Sequence, residues 1–121
     1  MSDAVSRQLV LDESEPIKIV QVRGTTPPKA LAGSLMQEFR SSLGPGVAKL
    51  PNLSLHAIGH QAVCQAVKAV PIANGLLAPH GIQLTILPSF ENKMVHSEDD
   101  ASVEVERTVL RLRLIPWQIG G

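Results

Sequence analysis

The polar groups best suited to chemistry in this chain lie beside the predicted start of its first helix. Gly24-Thr25-Thr26 follows a predicted strand and opens a helix, and Arg23 and Lys29 flank the turn. Because the first N–H groups of a helix lack backbone partners and carry the positive end of the helix dipole, this turn could hold a backbone phosphate. Thr25 or Thr26 acting as an ordinary helix cap would give the same pattern, so both interpretations stay open.

A second anion site of the same kind is predicted at the start of the second helix. Gly59 leads into that helix, which begins with His60 and Gln61 and carries Lys68 further along. The two helix starts would lie side by side if the strands before them are parallel neighbours. We therefore expect one phosphate-binding surface built from both.

Arginines also alternate along the last predicted strand. Arg107, Arg111 and Arg113 share one face of it, and Leu110, Leu112 and Leu114 share the other. If the helices cover the leucines, the arginines lie on the open face of the sheet. Charge that protects an edge strand from aggregation would explain the same row, and the two interpretations are compatible.

The predicted nucleic-acid contacts are cationic or hydrogen-bonding side chains at these positions. They are Arg23, Thr25, Thr26, Lys29, His60, Gln61, Lys68, Arg107, Arg111 and Arg113. Phe39, Phe90 and Trp117 are the only aromatic residues, so base stacking of the RNA-recognition-motif kind is not supported. Contacts would be mainly to phosphates, with weak sequence specificity and a strong dependence on salt.

No arrangement of residues typical of catalysis is present. Cys64 and His60 lie four residues apart on the second helix, but an inert, half-buried Cys on an alanine-rich helix is the simpler interpretation. The histidines lack the ligand spacing of a zinc site, and there is no Gly-x-x-x-x-Gly-Lys-Ser/Thr phosphate loop. We predict no catalytic residues, no metal and no cofactor, and hence a protein that is not an enzyme.

The formal net charge of zero conceals an uneven distribution. Residues 1–16 carry a net charge of −3 and residues 91–106 a net charge of −5, whereas the rest carries nine Lys and Arg against Glu38 alone, or +8. An acidic segment at 91–106 would be repelled by DNA. That segment favours contact confined to the basic body, or a protein partner with a basic face.

The chain has the features of an intracellular protein. A single cysteine cannot form an internal disulfide, the N-terminal residues do not resemble a signal peptide, and no apolar run approaches the ~20 residues that span a bilayer. We expect it in the cytoplasm, nucleoid-associated or nuclear, and not bound to membranes.

Hydrophobic periodicity predicts four strands and two helices. In chain order they are a strand at 17–23, a helix at 28–43, a strand at 53–58, a helix from His60, a strand at 82–87, an acidic connection at 91–102 and a strand at 103–115. The second helix has an alanine-rich face suited to close packing. Pro71 predicts a kink or an early end in it, because proline removes a backbone hydrogen bond.

This order predicts an α+β, two-layer α/β sandwich with β-α-β-α-β-β topology. Its four-stranded mixed sheet would carry two helices on one face. The expected domain spans residues 17–115, after an acidic, partly flexible tail at 1–16 and before a C-terminal extension at 116–121. Leu9, Val10 and Leu11 in the tail could dock onto the domain.

Several motifs resemble the stage V sporulation protein S family of bacteria. They are Gln65-Ala66-Val67-Lys68-Ala69-Val70, Ala78-Pro79, Gly81, Leu87-Pro88-Ser89-Phe90 and, upstream, Thr26-x-Pro28 with Leu31-Ala32-Gly33-x-Leu35. The resemblance covers about residues 17–115. That family is similar in fold to Alba, the archaeal chromatin protein, whose domain dimerises and binds DNA or RNA. The resemblance implies an Alba-like fold, nucleic-acid association and a regulatory role in sporulation, development or division.

Two functional hypotheses follow from the residues and the resemblance together. The first is a nucleic-acid-binding regulatory protein, for DNA or RNA, that forms a homodimer or higher homo-oligomer through the second helix region. The second is a protein-interaction or scaffolding module that does not bind nucleic acid. The acidic segment and the zero net charge favour the second, and the basic body favours the first.

Overall fold

The fold is known from a computed structural model that describes residues 7–8, 17–40, 50–97 and 99–119. The elements in chain order are β1 (Arg7–Gln8), β2 (Lys18–Val22), α1 (Pro28–Arg40), β3 (Leu53–Ala57), α2 (His60–Leu77), a 3-10 turn (Ala78–His80), β4 (Ile82–His96) and β5 (Glu104–Gln118). The predicted β-α-β-α-β-β order is therefore confirmed, with the short strand β1 added before it.

The sheet is mixed, with β5 at its centre. β2 and β3 are parallel neighbours, and β3 runs antiparallel to residues 110–114 of β5. On its other edge β5 pairs with β4 along its whole length. β1 pairs with Trp117 and Gln118 of β5. Because β4 occupies one edge of β5 at these residues, β1 lies on the other edge, which is the edge that β3 occupies further along. The sequence had placed β1 within the tail at 1–16, of which only residues 7–8 are described.

Both helices cover one face of this sheet. Leu31, Leu35 and Phe39 of α1 are buried in a core that also contains Leu53 and Leu55 of β3, as the three- and four-residue spacing predicts. Leu112 and Leu114 of β5 join the same core. The predicted end of α1 at residue 43 and the Gly-Pro-Gly stop at 44–46 lie outside the described residues.

The alanines of α2 pack inside the domain. Ala62, Ala66, Ala69 and Ala73 are all buried in the core, where small side chains let the helix lie close to the sheet and to α1. By length and composition alone the segment His60–His80 would pass as a membrane-spanning helix, and a third of its apolar window is buried inside the domain.

The helix also continues through Pro71 to Leu77, so the predicted early end is wrong. Pro71 is exposed, and so is Val67, whose carbonyl loses its hydrogen bond to the proline. That carbonyl can bond to water instead, which makes the proline tolerable at this position. Beyond it, the Asn74 side chain accepts a hydrogen bond from the Leu84 N–H at 2.7 Å and donates one to the Leu84 carbonyl at 3.1 Å.

The strand β4 is much longer than predicted, and β5 is slightly longer. β4 runs on to His96, so the acidic connection at 91–102 is wrong over its first half, and β5 continues through Pro116 to Gln118. What remains is a short connection between the two strands, in which the Ser97 N–H donates to the Val103 carbonyl at 2.8 Å. Strands exposed to water on both faces need no apolar alternation, and for this reason the polar residues 91–96 do not look like a strand in the sequence.

Candidate nucleic-acid interface

The outer parts of β4 and β5 form a two-stranded arm. The pairing of β3 with β5 ends where Ala57 lies opposite Leu110, so beyond that point β5 has β4 as its partner. We call residues 91–96 and 104–109 the arm. It extends past the end of β3, on the side of the sheet where β2 ends and α2 begins.

A cleft of about 1170 Å³ separates the arm from the rest of the domain. The body wall includes Arg23, Thr25 and Gln61, from the turn after β2 and the first turn of α2. The arm wall includes Lys93 and Arg107, which lie directly opposite each other in the β4–β5 register. Cationic side chains therefore line the cleft from both sides.

Strand alternation sorts the charges of the arm onto two faces. Lys93, Arg107 and Val109 share the face that borders the cleft, because side chains two residues apart point the same way. Glu104 and Glu106 belong to the opposite, outer face. The acidity that seemed to repel DNA is thus partly turned away from the cleft.

The separation of charge is not complete. Asp99, at the tip of the arm, and Glu106 also contribute to the cleft lining, together with His96. The lining therefore holds three cationic side chains, Arg23, Lys93 and Arg107, against two carboxylates. It stays net positive, but only slightly.

The turn after β2 is held against the start of α2. Gln65 Nε2 donates to the Gly24 carbonyl at 3.1 Å, and a Cβ added at Gly24 would lie 3.0 Å from the Cβ of Gln61. The Arg23 N–H donates to Thr26 Oγ1 at 2.8 Å, so the Thr26 hydroxyl closes the turn. Thr25 is exposed and lines the cleft. The two predicted anion sites consequently form one continuous body wall.

The other predicted site residues lie elsewhere. Lys29 in the first turn of α1, and His60 and Lys68 on α2, are exposed but do not line the cleft. Of the ten predicted residues, the cleft brings together Arg23, Thr25, Gln61 and Arg107.

Arg111 and Arg113 lie on the sheet face opposite the helices. Arg111 Nε donates to Ser89 Oγ at 3.1 Å, and its Nη1 lies 3.7 Å from Glu91 Oε2. Arg113 Nη2 donates to Asn52 Oδ1 at 3.2 Å. These two side chains are committed to neighbours within the fold, which distinguishes them from Arg107 in the cleft.

The same open face buries a histidine. His56 lies opposite Arg111 in the β3–β5 register and is 4% exposed, and its Nδ1 has no hydrogen-bond partner among the described residues. Burial lowers the pKa of His56 because it penalises the charged imidazolium. Lys93 and Arg111 lower the pKa of His56 further, and Glu91 partly opposes them.

The tip of the arm carries a fixed negative charge. The Ser102 hydroxyl donates to Asp100 Oδ1 at 2.7 Å and the Ser102 N–H to the same oxygen at 3.0 Å. These two hydrogen bonds lower the pKa of Asp100. Within the described part of the chain, no three His, Cys, Asp or Glu side chains are grouped so that they could hold a metal ion.

Sequence reasoning missed Lys93 and the aliphatic residues beside it. The sequence pattern places Lys93 in an acidic connection, whereas in the structure Lys93 lies in a strand, directly opposite Arg107. A signal was available: continuing the period of two from Ile82 through His96 puts Lys93 on the face of β4 that carries Leu87 and Glu91.

Comparison with known proteins identifies the family and agrees with the fold. The family profile described as Stage V sporulation protein S matches residues 18–116. The fold is similar to the solved structure of Alba from Thermoplasma volcanium, with a TM-score of 0.56 and 13% sequence identity over 81% of this chain and 99% of that one. At this identity the likeness concerns the fold.

Proposed function

The chain belongs to the Stage V sporulation protein S family, and on that premise we propose that it is a regulatory protein that binds the phosphate backbone of DNA or RNA. The observation that carries the proposal is the cleft, in which Arg23 on the body faces Lys93 and Arg107 on the arm. A phosphate chain is the ligand that cations on two opposed walls fit best. The Alba-like fold supports the same role.

Binding of this kind positions the protein without catalysis. Arg23, Lys93 and Arg107 would pair with phosphate oxygens, and the exposed Thr25 hydroxyl and Gln61 amide would add hydrogen bonds. None of these groups reads a base edge, so sequence specificity would be weak. Lys29, His60 and Lys68 would extend the basic surface outside the cleft, in a protein located in the cytoplasm.

A homodimer through α2 is part of this proposal, but the alanine-rich face of that helix is not available for the contact. Because the alanines of α2 are buried in the core, a partner would meet the opposite side of the helix. That side carries exposed Cys64, Val67 and Pro71, a largely apolar stripe spaced by three and four residues. An isologous contact along this stripe would be typical of a small homodimer.

The test is a fluorescence-anisotropy titration with labelled duplex DNA and single-stranded RNA at low and moderate salt. We expect binding that weakens steeply with salt, because each neutralised phosphate releases bound counterions. Arg23→Glu should weaken it, whereas Arg40→Glu, the same charge reversal at the far end of α1, is the matched control. Equal losses in both variants, or no binding at low salt by an intact dimer, would reject the proposal.

One observation favours the alternative, a protein-interaction module. Met94 is 55% exposed on the outer face of the arm, opposite Glu106, and Phe90, just before the arm on the same face of β4, is 74% exposed. Such an apolar and acidic surface would suit a basic protein partner. This candidate becomes the better one if the chain binds no nucleic acid at low salt.

A further inference from the structure

The cleft is apolar as well as cationic. Val95 and Val105 lie opposite each other on the arm wall and are half-buried, and Ile58 on the body wall is half-buried too. Val109 is 1% exposed although it lies on the face opposite the helices, outside the main core. Along the arm, Val95 and Val105 lie on the tip side of Lys93 and Arg107, and Val109 lies on the sheet side.

An aliphatic lining has less apolar surface to cover on a duplex than on a single strand. In a double helix the bases are paired and stacked, so the duplex presents phosphates, sugars and the edges of bases. A single strand exposes the flat apolar faces of its bases as well as its phosphates. Covering those faces removes apolar surface of both partners from water, whereas in a duplex the base faces are already covered by stacking.

The size of the cleft agrees with a polymer rather than a small molecule. Its volume of about 1170 Å³ exceeds the roughly 300–1,000 Å³ typical of small-ligand pockets. Walls contributed by separate segments leave it open to solvent along the arm. A single strand is thinner and more flexible than a duplex and therefore fits such a space more readily.

We propose that the cleft binds single-stranded nucleic acid in preference to duplex, with unpaired bases packed against Ile58, Val95 and Val105. This inference rests on the proposed function and narrows it to one class of ligand. Arg23, Lys93 and Arg107 bind the phosphates of the strand. RNA and DNA single strands share this chemistry, so the sugar is not the feature that is recognised.

The experiment compares four labelled probes with the full-length protein at one low salt concentration. They are a short oligouridylate, an oligothymidylate of equal length, a hairpin duplex with the same number of phosphates, and an abasic strand that keeps the phosphates but lacks the bases. We expect the first two to bind alike, and the duplex and the abasic strand to bind roughly tenfold more weakly.

A double variant, Val95→Thr with Val105→Thr, tests the aliphatic wall directly. Threonine keeps the branched shape that favours strands, so the arm should still fold, while each hydroxyl makes the wall polar. We expect roughly fivefold weaker binding of the oligouridylate and no change for the duplex. Ile19→Thr, at an exposed aliphatic position outside the cleft, is the control.

The outcomes separate the inference from the function on which it rests. Equal affinity for all four probes, with no effect of the threonines, would overturn the single-strand inference and leave backbone binding intact. Binding of none of the probes would overturn the proposed function itself. A duplex that binds more tightly than the single strands would also overturn the inference.

Discussion

The two halves of β5 follow the same alternation and use it differently. In the inner half, residues 110–114, one face is leucine and buried under the helices, and the other face is arginine. In the outer half, residues 104–109, both faces are polar in part. Alternation puts Glu104 and Glu106 on the face opposite Arg107, although Glu106 still contributes to the cleft lining. The inner half has a strand on each side, whereas the outer half pairs with β4.

This difference shows how one pattern can serve folding and binding along a single strand. Where the helices cover a face, alternation places apolar side chains out of water and the strand contributes stability. Where water reaches both faces, the same alternation contributes little to stability and instead decides which charge a ligand meets. We therefore expect substitutions in the inner half to change mainly the free energy of unfolding, and substitutions in the outer half to change mainly the affinity for nucleic acid.

The largest effect is expected on stability in the inner half. Leu114 is fully buried, so Leu114→Ala should lower the free energy of unfolding by about 2–5 kcal/mol, through lost burial and the cavity left behind. Val105→Ala in the outer half should cost less than about 1 kcal/mol. Urea denaturation followed by circular dichroism measures both. Similar losses for the two variants would mean that the arm is part of the folding core.

The next effect is on affinity, in the outer half. Arg107→Glu should weaken nucleic-acid binding roughly tenfold at low salt, because it places a carboxylate in the cleft. Glu104→Lys changes the charge by the same amount on the outer face and should alter affinity less than roughly twofold. Anisotropy titration measures the affinity of both variants. If only the net charge of the protein mattered, Arg107→Glu would lower the affinity by the same factor by which Glu104→Lys raises it.

A pH dependence is expected from His56 of β3, which lies opposite Arg111 in the inner half of β5. His56 has a pKa below the usual 6.5 in the folded protein, so below that pH the unfolded chain takes up a proton that the folded chain does not. The free energy of unfolding should therefore be highest above pH 6.5 and fall as the pH drops towards the folded pKa. Denaturation series at several pH values should show this fall, and His56→Gln should reduce it.

The matched control for that series is His80→Gln, at an exposed position. If both glutamine variants changed the pH profile to the same extent, the buried imidazole would not be its source.

The smallest effect is expected for a surface contact of the arm. Thr108 Oγ1 donates to Asn92 Oδ1 at 3.1 Å across the two strands, where both side chains are exposed. Thr108→Val should change the free energy of unfolding by about 0.5 kcal/mol or less, since water replaces the lost partner. A larger loss in the same denaturation assay would show that the cross-strand contacts hold the arm in place.

Much of the fold was predictable because its strongest signals are local. The spacing of Leu31, Leu35 and Phe39 indicated α1, and the leucines of the last strand indicated the face that the helices cover. Pro71 misled the prediction because the cost of proline depends on whether the orphaned carbonyl reaches water, which the sequence does not show.

The candidate site was only partly predictable. Arg23 and Gln61 follow from the rule that parallel strands end side by side, with the next helices starting there. Lys93 could not be recognised while residues 91–96 were taken as a loop, because its position opposite Arg107 depends on those residues pairing as a strand with β5. The aliphatic lining was hidden for the same reason.

Asn74 has a consequence for assembly. Its side-chain amide forms hydrogen bonds with both the N–H and the carbonyl of Leu84, which point away from β5. These are the two hydrogen bonds that one residue of a neighbouring strand would form. An exposed strand edge is a template on which another chain can add. At Leu84 the backbone groups on this edge are already bonded to Asn74, so a strand that another molecule adds to β4 must pair with residues beyond Leu84, towards the arm.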